Sequence, residues 1–499
     1  MGITKKQFVN GASWKILGDF SVKGITFLVS IVLMRLLSAE DYGLIALTNV
    51  FTSLSDIMIE GGFSTALIRK DKVDSIDYGC VLSVSGIISV ILYLTIFLIA
   101  PHAAQYYHQP LLTSVLRVVG LSLFLQVIVS IRTAIVNRNM QYRLLSICNT
   151  IGSVISGVMG IATAYLGMGV WALVIQRLSQ IIISNLLLFL KVKVKIKLSL
   201  EKQRLKEIFQ FSIGVVGSSL LNYVGGSIYS IVIGRRYSVA KLGYYDKGSQ
   251  LPMQLSLYTF GSMSSVLLPT LASYQDNLLR VKEISRKVMR MTAYLIFPMM
   301  IGLMLTSTEI TVLLFTEKWL PSVPMMRSFC IYYLATPFML INVQIFFALG
   351  HSYLRVKTEV IRLLMMAIGL IVIAFILKLD VNAVAITMAV IAVLSAIVTF
   401  VETRKLISYS WQEVLQDIKK AIIATAIIAV AIHSAQLVLN MVLTDGISYL
   451  ASLGMKVFLG VGLYYGISKL IKIDELDELL QLLRSIKLGR FKYNNDSNS

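Results

Sequence analysis

The chain has 499 residues, of which 56% are hydrophobic and only 14% are charged. Soluble globular domains carry roughly a quarter charged residues, so this composition excludes an ordinary water-soluble protein and indicates a membrane protein with many spans. The net charge is +20, which in a soluble protein would suggest nucleic acid as a partner. The three cysteines, Cys80, Cys148 and Cys330, show no paired spacing, so neither a disulfide nor a metal site is predicted.

The first predicted element is an apolar helix behind a short polar N-terminus. Lys5 and Lys6 precede it, but no small-residue cleavage site follows, so we predict that this helix is retained. A spanning helix needs roughly 20 residues, and apolar runs of that length predict an all-α membrane protein with about 14 transmembrane helices. The predicted spans are residues 14–36, 43–67, 79–100, 111–135, 144–166, 169–190, 208–233, 243–268, 291–315, 325–349, 359–378, 381–402, 419–440 and 447–470.

One more helix is predicted after the last span. Five apolar residues fall on one helical face there, and acidic residues fall on the opposite face. This pattern is typical of a short amphipathic helix at a membrane interface, and the final residues read as a disordered tail. The apolar positions are Ile473, Leu476, Leu479, Leu480 and Leu483.

The loops alternate in their content of Lys and Arg. With the N-terminus inside, the large majority of the 46 basic residues fall on the cytoplasmic side. This is the positive-inside bias of membrane proteins, so we attribute the net charge to topology and exclude nucleic acid as a partner. We also predict that both termini lie in the cytoplasm and that the membrane is a bacterial inner membrane. The external loop after the seventh span is an exception, because it carries Arg235, Arg236, Lys241 and Lys247. An anionic ligand and a local pairing with Asp246 both explain it.

A weak internal repeat appears when the sequence is shifted by 200 residues. It matches polar and glycine positions in particular, namely Arg35 with Arg235, Ser38 with Ser238, Gly43 with Gly243, Gly61 with Gly261 and Ser64 with Ser264. Leu67 also matches Leu267. At a shift of 210, Arg117 meets Arg327. Each copy holds six helices, an even number, so both copies have the same orientation in the membrane.

This repeat predicts the domain organisation. Residues 1–200 form an N-lobe with helices 1–6, and residues 201–406 form a C-lobe with helices 7–12. Residues 407–471 contribute helices 13 and 14, and residues 472–499 hold the interfacial helix and the tail. Two lobes of this kind place a substrate path between them.

Basic residues within the helices and on the outer rim outnumber acidic ones. Charged residues at membrane depth normally face a protein interior or an aqueous cavity, and guanidinium groups bind phosphate in a bidentate way. We therefore predict a cationic cavity for an anionic substrate. Its candidate residues are Lys23, Arg35, Arg117, Arg177, Arg235, Arg236, Arg327 and Lys456. For Lys23, which lies on one helical face with Lys15 and Asp19, a simple pairing with Asp19 is the structural alternative.

Three carboxyl groups near mid-membrane are candidates for ion coupling. Asp19, Asp56 and Glu60 all lie in the first repeat, and the second repeat lacks equivalents. A cluster of like charges holds protons more tightly, so a Na⁺ or H⁺ site is one interpretation. Neutralisation by Lys23 and Arg177, in a purely structural role, is the other.

Signatures of enzymatic chemistry are missing from the sequence. HExxH, GxSxG, Walker and CxxC motifs do not occur, and the four histidines are scattered. We predict a protein that is not an enzyme and that uses no cofactor besides a possible coupling ion. Any pumping must then use an ion gradient or the gradient of the substrate.

The segment Leu33–Lys70 resembles the signature of Wzx-like polysaccharide exporters of the teichuronic and colanic acid type. These belong to the multidrug/oligosaccharidyl-lipid/polysaccharide exporter superfamily. The positions that carry the resemblance are Arg35, Leu36, Leu37, Ser38, Asp41, Tyr42, Gly43, Gly61, Ala66, Leu67 and Ile68. Tyr244–Gln254 resembles the family's entry to the eighth helix, although Asp246 and Lys247 stand where many members carry Arg.

This resemblance implies a flippase for undecaprenyl-pyrophosphate-linked oligosaccharide repeat units. It would move them from the cytoplasmic to the periplasmic leaflet by alternating access, for O-antigen, capsule or exopolysaccharide assembly. Its partners would be the lipid-linked glycan, membrane lipids, and a polysaccharide polymerase and co-polymerase.

Three other functions are alternatives. A lipid II flippase carries the same pyrophosphate lipid, whereas a multidrug exporter of the superfamily usually moves cationic substrates, which suit an Arg-rich cavity poorly. A membrane glycosyltransferase or ligase would be expected to show a large polar outer loop. The outer loops here are short, which disfavours an enzyme.

Overall fold

The computed structural model describes residues 5–57, 67, 73–194, 196–442 and 448–487. Every regular element within these residues is helical, which confirms the predicted all-α membrane class. In this part of the chain, twelve helical segments are long and apolar enough to cross a membrane. The predicted spans 43–67 and 208–233 are not among the twelve, and the first of them runs partly outside the described residues. The count of fourteen therefore stays a prediction.

The chain divides into two compact units, Met1–Asp246 and Lys247–Ser499. We call them unit 1 and unit 2 and describe each by itself. The helices that begin in unit 1 are α1 (Lys5–Leu36), α2 (Ala39–Asp56), α3 (Ser75–Tyr107), α4 (Leu111–Gly120), α5 (Ser122–Arg138), α6 (Tyr142–Tyr165), α7 (Val170–Lys191), α8 (Lys202–Arg236) and α9 (Val239–Ala272). The last of these continues into unit 2. The lobes drawn from the repeat, residues 1–200 and 201–406, stay a prediction.

Small side chains hold the centre of unit 1 together. Helix α6 packs against both α1 and α7. Its buried face is made of glycine and serine, which allow helix backbones to approach closely inside a membrane. That face comprises Gly152, Ser153, Ser156, Gly157 and Gly160.

The predicted helix 111–135 is interrupted in the structure. It ends at Gly120 and resumes at Ser122, with Leu121 between the two pieces. Gly120 and Ser122 flank the break, and Gly120 packs directly against Tyr93. The hydropathy of this stretch is continuous, so hydropathy alone predicted a single helix.

The remaining helices lie in unit 2. They are α10 (Leu278–Leu305), α11 (Ser307–Phe315), α12 (Val323–Ala348), α13 (Ser352–Ile371), α14 (Val381–Ile407), α15 (Trp411–Val442), α16 (Tyr449–Leu470) and α17 (Asp474–Lys487). A 3₁₀ turn, Glu317–Ser322, precedes α12, and a π turn, Val372–Ile376, extends α13. A large apolar core cluster in this unit is centred on Leu271, Met289, Ile345, Phe400 and Tyr409.

The predicted span 291–315 also differs from the structure. Helix α10 begins thirteen residues earlier, at Leu278, and ends at Leu305. Thr306 Oγ1 donates to Gly302 O at 2.7 Å, and Ser307 Oγ donates to Met304 O at 2.8 Å. Hydroxyl groups that bond to the preceding turn compete with the regular helix, which explains why α11 starts as a separate element.

The C-terminal helix α17 is amphipathic, as predicted. Ile473 and Leu476 are buried against Tyr294 and Ala424 of unit 2. This part of its apolar face therefore contacts the protein, and the interfacial position of the helix stays a prediction. Residues 488–499, predicted as a tail, lie outside the described residues.

Candidate functional site

The residues matched by the 200-residue repeat cap two helices in unit 1. Ser38 Oγ accepts a hydrogen bond from Asp41 N at 3.2 Å, and Asp41 Oδ2 accepts one from Ser38 N at 2.9 Å. This is a capping box, which satisfies backbone donors at the start of α2. Ser238 Oγ accepts from Lys241 N at 3.1 Å just as α9 begins. The match between Ser38 and Ser238 thus has a physical reason, because both serines cap a helix.

The two matched glycines bring the starts of these helices into contact. A Cβ atom on Gly43 would overlap the carbonyl oxygen of Val239, and a Cβ atom on Gly243 would overlap the carbonyl oxygen of Ala39. Ala39 and Val239 are themselves 200 residues apart, so the contact is reciprocal. The repeat predicted equivalent roles for the glycines, but their contact is visible only in the structure. We call this contact, formed by residues 39–43 and 239–243, the glycine crossing.

Basic side chains surround the glycine crossing. Arg235 Nη1 lies 3.0 Å from His108 Nε2, and its guanidinium stacks 5.0 Å from the centre of the Tyr106 ring. Arg235, Arg236 and Arg35 are all exposed. These three predicted cations lie at the ends of α1 and α8, next to the glycine crossing, and their role in binding an anion stays a prediction.

Arg177 belongs to a polar layer that the sequence analysis did not identify. Its side chain is half-buried, and Nη1 donates to Asn49 Oδ1 at 2.5 Å and Nη2 to Thr52 Oγ1 at 3.3 Å. From α8, the Tyr223 hydroxyl donates to Val50 O. Asn49 and Thr52 are one turn apart on α2, a spacing that could have drawn attention to them.

The pair Arg117 and Arg327, related by the 210-residue shift, is held by local contacts. Arg117 is half-buried and stacks 3.9 Å from the centre of the Phe97 ring. Arg327 donates from Nε to Ser307 Oγ at 3.0 Å and from Nη2 to Thr308 Oγ1 at 3.2 Å. Arg327 is exposed and lies within two turns of the start of α12.

Lys456 is the most deeply buried of the predicted cations. Its ammonium group lies 2.5 Å from Glu309 Oε1 and donates to Leu305 O at 3.1 Å. Ser452 Oγ also contacts Glu309 Oε1, at 2.9 Å. Glu309 was not predicted from the sequence, although a single acidic residue in an apolar stretch indicates a functional or paired charge. The charge of Lys456 is balanced within unit 2, and its role in substrate binding stays a prediction.

Of the three carboxyl groups predicted to couple transport to an ion, the structure describes only the side chain of Asp19. Asp19 is exposed on α1, as are Lys15 and Lys23. Asp56 ends α2, but its side chain lies outside the described part of the structure, and so does Glu60. Among the residues that are described, no group of three or more His, Cys, Asp or Glu side chains is placed to hold a metal ion.

Unit 2 contains an apolar cavity of about 760 Å³, which the sequence did not predict. Side chains of α10, α15, α16 and α17 line it, and they are almost all apolar. Representative lining residues are Met299, Ile428, Ile432, Val457 and Leu480. Lys456 and Thr306 supply polar groups in its wall. A cavity of this size and character suits a hydrocarbon chain.

Sequence comparisons identify related proteins. A family model described as "Polysaccharide biosynthesis protein" matches residues 32–324. The succinoglycan biosynthesis transport protein ExoT of Rhizobium meliloti is 22% identical over 64% of this chain, and the chain spans just under two thirds (64%) of its length. The teichuronic acid biosynthesis protein TuaB of Bacillus subtilis is 22% identical over 65% of this chain and 68% of its own. The lipopolysaccharide biosynthesis protein WzxC of Escherichia coli is 17% identical over 66% of this chain and 67% of its own.

Solved structures show the same fold. The lipid II flippase MurJ, in an inward closed conformation, aligns with a TM-score of 0.73 at 15% identity, over 93% of this chain and 99% of its own. A multidrug resistance MATE family transporter of the MOP superfamily, in an inward-facing conformation, aligns with a TM-score of 0.62 at 16% identity. The alignment covers 77% of this chain and 94% of the transporter. These two likenesses show that the chain has this fold.

Proposed function

This chain belongs to the polysaccharide biosynthesis protein family, whose model matches more than half of it, and we propose that it is a flippase for lipid-linked oligosaccharides. It moves undecaprenyl-pyrophosphate-linked repeat units from the cytoplasmic to the periplasmic leaflet of a bacterial inner membrane. The product feeds the assembly of a surface polysaccharide. The names of the relatives support this proposal, since they refer to succinoglycan, teichuronic acid and lipopolysaccharide biosynthesis.

The apolar cavity in unit 2 is the observation that carries the proposal. A free sugar would lose its hydrogen bonds to water in a cavity of about 760 Å³ with almost wholly apolar walls. A polyprenyl chain gains free energy by leaving water for such a surface. The exposed guanidinium groups Arg35, Arg235 and Arg236 in unit 1 suit the pyrophosphate and acidic sugars of the same substrate. An amphiphilic anion accounts for both features.

Transport by alternating access requires contacts at one end of the protein to open. We propose that both termini are cytoplasmic, which places residues 35–43 and 235–243 at the periplasmic side. The glycine crossing is then a contact that must separate when the protein opens outward. It is formed by backbone and small side chains, so separating it exposes little apolar surface.

We further propose that Na⁺ or H⁺ binding to Asp19, Asp56 and Glu60 drives the conformational change. A bound cation would neutralise these carboxyl groups and favour one opening over the other. Asp56→Asn and Glu60→Gln should abolish the response of flipping to an imposed ion gradient in reconstituted vesicles. If thermal stability falls while the gradient response survives, the three carboxyls have only a structural role.

Two other cargoes fit the same fold. The likeness to the lipid II flippase favours lipid II as an alternative, because that cargo also carries a pyrophosphate lipid. A multidrug-exporter function is supported less well, because the exposed site residues are cationic and the substrates of multidrug exporters are usually cationic as well. Vesicles loaded with each cargo in turn distinguish these functions from oligosaccharide flipping.

The deciding experiment is a flipping assay in vesicles with a fluorescent polyprenyl-pyrophosphate-linked glycan. Arg117→Ala and Arg327→Ala should each reduce flipping at least about tenfold, and Lys at either position should restore it only partly, because an ammonium lacks the bidentate fork. Arg280→Ala is a matched control, since Arg280 is exposed and pairs with Glu283 three residues away. Wild-type protein that flips lipid II but not the glycan would overturn the proposal.

A further inference from the structure

An extended basic segment connects α7 to α8 in unit 1. We call residues 191–202 the strap; residue 195 lies outside the described part. Its side chains alternate, so that Lys193 is exposed while Val192 is buried and Val194 half-buried. Such alternation is the geometry of an extended chain with one face packed on a core and the other in solvent. The exposed face carries lysine.

The packed face of the strap is held firmly. Val192 joins a buried cluster with Val136, Cys148 and Leu188. Further along, Lys197 N donates to Ser75 O at 3.0 Å. There the backbone approaches α3 so closely that a Cβ atom on Gly79 would overlap the Lys197 carbonyl. The exposed lysines therefore lie on a segment whose backbone is held in place by packing, unlike the backbone of a flexible loop.

The carboxyl groups near the strap are already engaged by another cation. Arg204 forms ion pairs with Asp74 at 2.8 Å, Asp77 at 2.9 Å and Glu201 at 2.8 Å. Within the described residues, by contrast, the strap and the first turns of α8 contain lysines that form no ion pair. These are Lys191, Lys193, Lys197, Lys202 and Lys206.

Basic residues of unit 2 provide a comparison. There, several exposed cations have partners, such as Lys287 with Glu478 at 2.8 Å and Lys405 with Glu402 at 3.0 Å, whereas Arg404 and Lys419 are exposed and form no ion pair within the described residues. The positive-inside rule requires only that basic residues lie on one side of the membrane, and both patterns satisfy it. It does not explain why several lysines share the exposed face of one segment that is packed on α3.

Apolar side chains lie beside these lysines. Leu198 and Leu200 in the strap are 72% and 54% exposed, and Leu190 at the end of α7 is 62% exposed. Lysine next to exposed leucine at the end of a spanning helix is the composition of a surface that meets lipid headgroups and the upper acyl region together. Neither nucleic acid nor a soluble acidic protein would account for the leucines.

We propose that the strap binds anionic phospholipid headgroups of the adjacent leaflet. That leaflet is the cytoplasmic one in the orientation given above, and the binding itself does not depend on the flippase activity. Basic clusters next to a membrane span attract anionic lipids over a Debye length, so the interaction weakens in salt. Because the strap joins α7 to α8 and touches α3, bound lipid would hold these three helix ends together.

The test compares two variants of the full chain in lipid nanodiscs of phosphatidylcholine with phosphatidylglycerol. The strap variant carries Lys193→Gln, Lys197→Gln and Lys202→Gln. The control carries Arg280→Gln, Lys287→Gln and Lys405→Gln, three exposed cations that each pair with a carboxylate. The two variants change net charge equally. Bound phosphatidylglycerol is counted by native mass spectrometry as its fraction in the disc increases.

The strap variant should bind phosphatidylglycerol at least about fivefold more weakly than wild type, and the control should change less than about twofold. Replacing the same three strap lysines by arginine should retain binding. If the glutamine variant does not fold, single substitutions are compared in the same way. Equal losses in strap and control variants would overturn the proposal. So would displacement of phosphatidylglycerol by an equal amount of undecaprenyl pyrophosphate, which would make the strap a substrate surface.

Discussion

At the scale of single residues, the buried charges of Lys456 and Glu309 neutralise each other. Lys456 and Glu309 are 7% and 6% exposed, and each supplies the other's counter-charge beside an apolar cavity. An uncompensated charge in such a place would carry a large desolvation cost. The pair therefore neutralises unit 2 internally, and removal of one partner is more harmful than removal of both.

Lys456→Met should destabilise the purified protein by about 3–5 kcal/mol, because it leaves the Glu309 carboxylate buried without its cation. The double variant Glu309→Gln/Lys456→Met should recover most of that loss. Melting temperatures in detergent provide the measurement. If Lys456 serves the substrate instead, Lys456→Met will melt like wild type and lose only flipping.

Asp74 illustrates a charge that is held at the surface. A hydrogen bond from the backbone N–H of Asp77, together with the Arg204 guanidinium, lowers the pKa of Asp74 to about 2. A lowered pKa in the folded state stabilises the protein above the unfolded pKa of about 3.9, and that contribution disappears as the pH falls toward 2. The carboxyl also accepts from Ile76 N at 3.0 Å, as the N-cap of α3.

Two substitutions at Asp74 separate its roles. Asp74→Asn keeps a capping side chain and loses only the ion pair, whereas Asp74→Ala loses both, so stability should fall in the order wild type, Asn, Ala. The difference between wild type and Asp74→Asn should be constant near neutral pH and shrink below about pH 4. Melting temperatures across pH check this. A gap that persists at low pH would contradict the assigned ion pair.

At the scale of elements, close contacts between helix ends depend on residues without side chains. The glycine crossing in unit 1 leaves no room for a Cβ atom on either Gly43 or Gly243. The two serine caps start α2 and α9 at matching positions, which aligns the glycines. The signature segment that carries the family resemblance thus encodes a helix cap and one side of the glycine crossing.

Gly43→Ala and Gly243→Ala should each cost about 1–3 kcal/mol, because the added methyl group forces the helices apart. Gly24→Ala and Gly86→Ala are controls, since a Cβ atom at either position meets nothing within 4 Å. Those changes should be neutral or stabilise the protein by about 0.5–1 kcal/mol. Melting temperature and flipping rate are measured together. Equal effects at all four positions would show that the crossing is not tight.

At the scale of the whole molecule, orientation follows from the distribution of basic loops. A reporter that is active only in the periplasm should give no signal when fused after Ser499, and a strong signal when fused at Gly167, between α6 and α7. The physical reason is the excess of Lys and Arg in alternate loops. Signal from the Ser499 fusion would require an odd number of spans and would contradict the segmentation.

The sequence by itself determined the class of this protein, the position of most helices and the family. Bilayer thickness sets the length of an apolar run, so spans such as 169–190 and 381–402 could be read within a few residues of α7 and α14. Residues 111–135 correspond to a single candidate span of the structure, although hydropathy did not reveal the short break at Leu121 or the helix end at Thr306.

Only the tertiary structure decided which groups meet. Lys456 could be predicted from the sequence as a cation within a helix, but its partner Glu309 lies 147 residues away in the chain. Sequence periodicity relates only residues that are close in the chain, so it could not predict this pair. The apolar cavity and the glycine crossing are likewise products of packing, because they depend on where helices approach each other. Local patterns specify which residues form helices and which ends they cap, whereas pairing between distant residues is settled only when those helices pack.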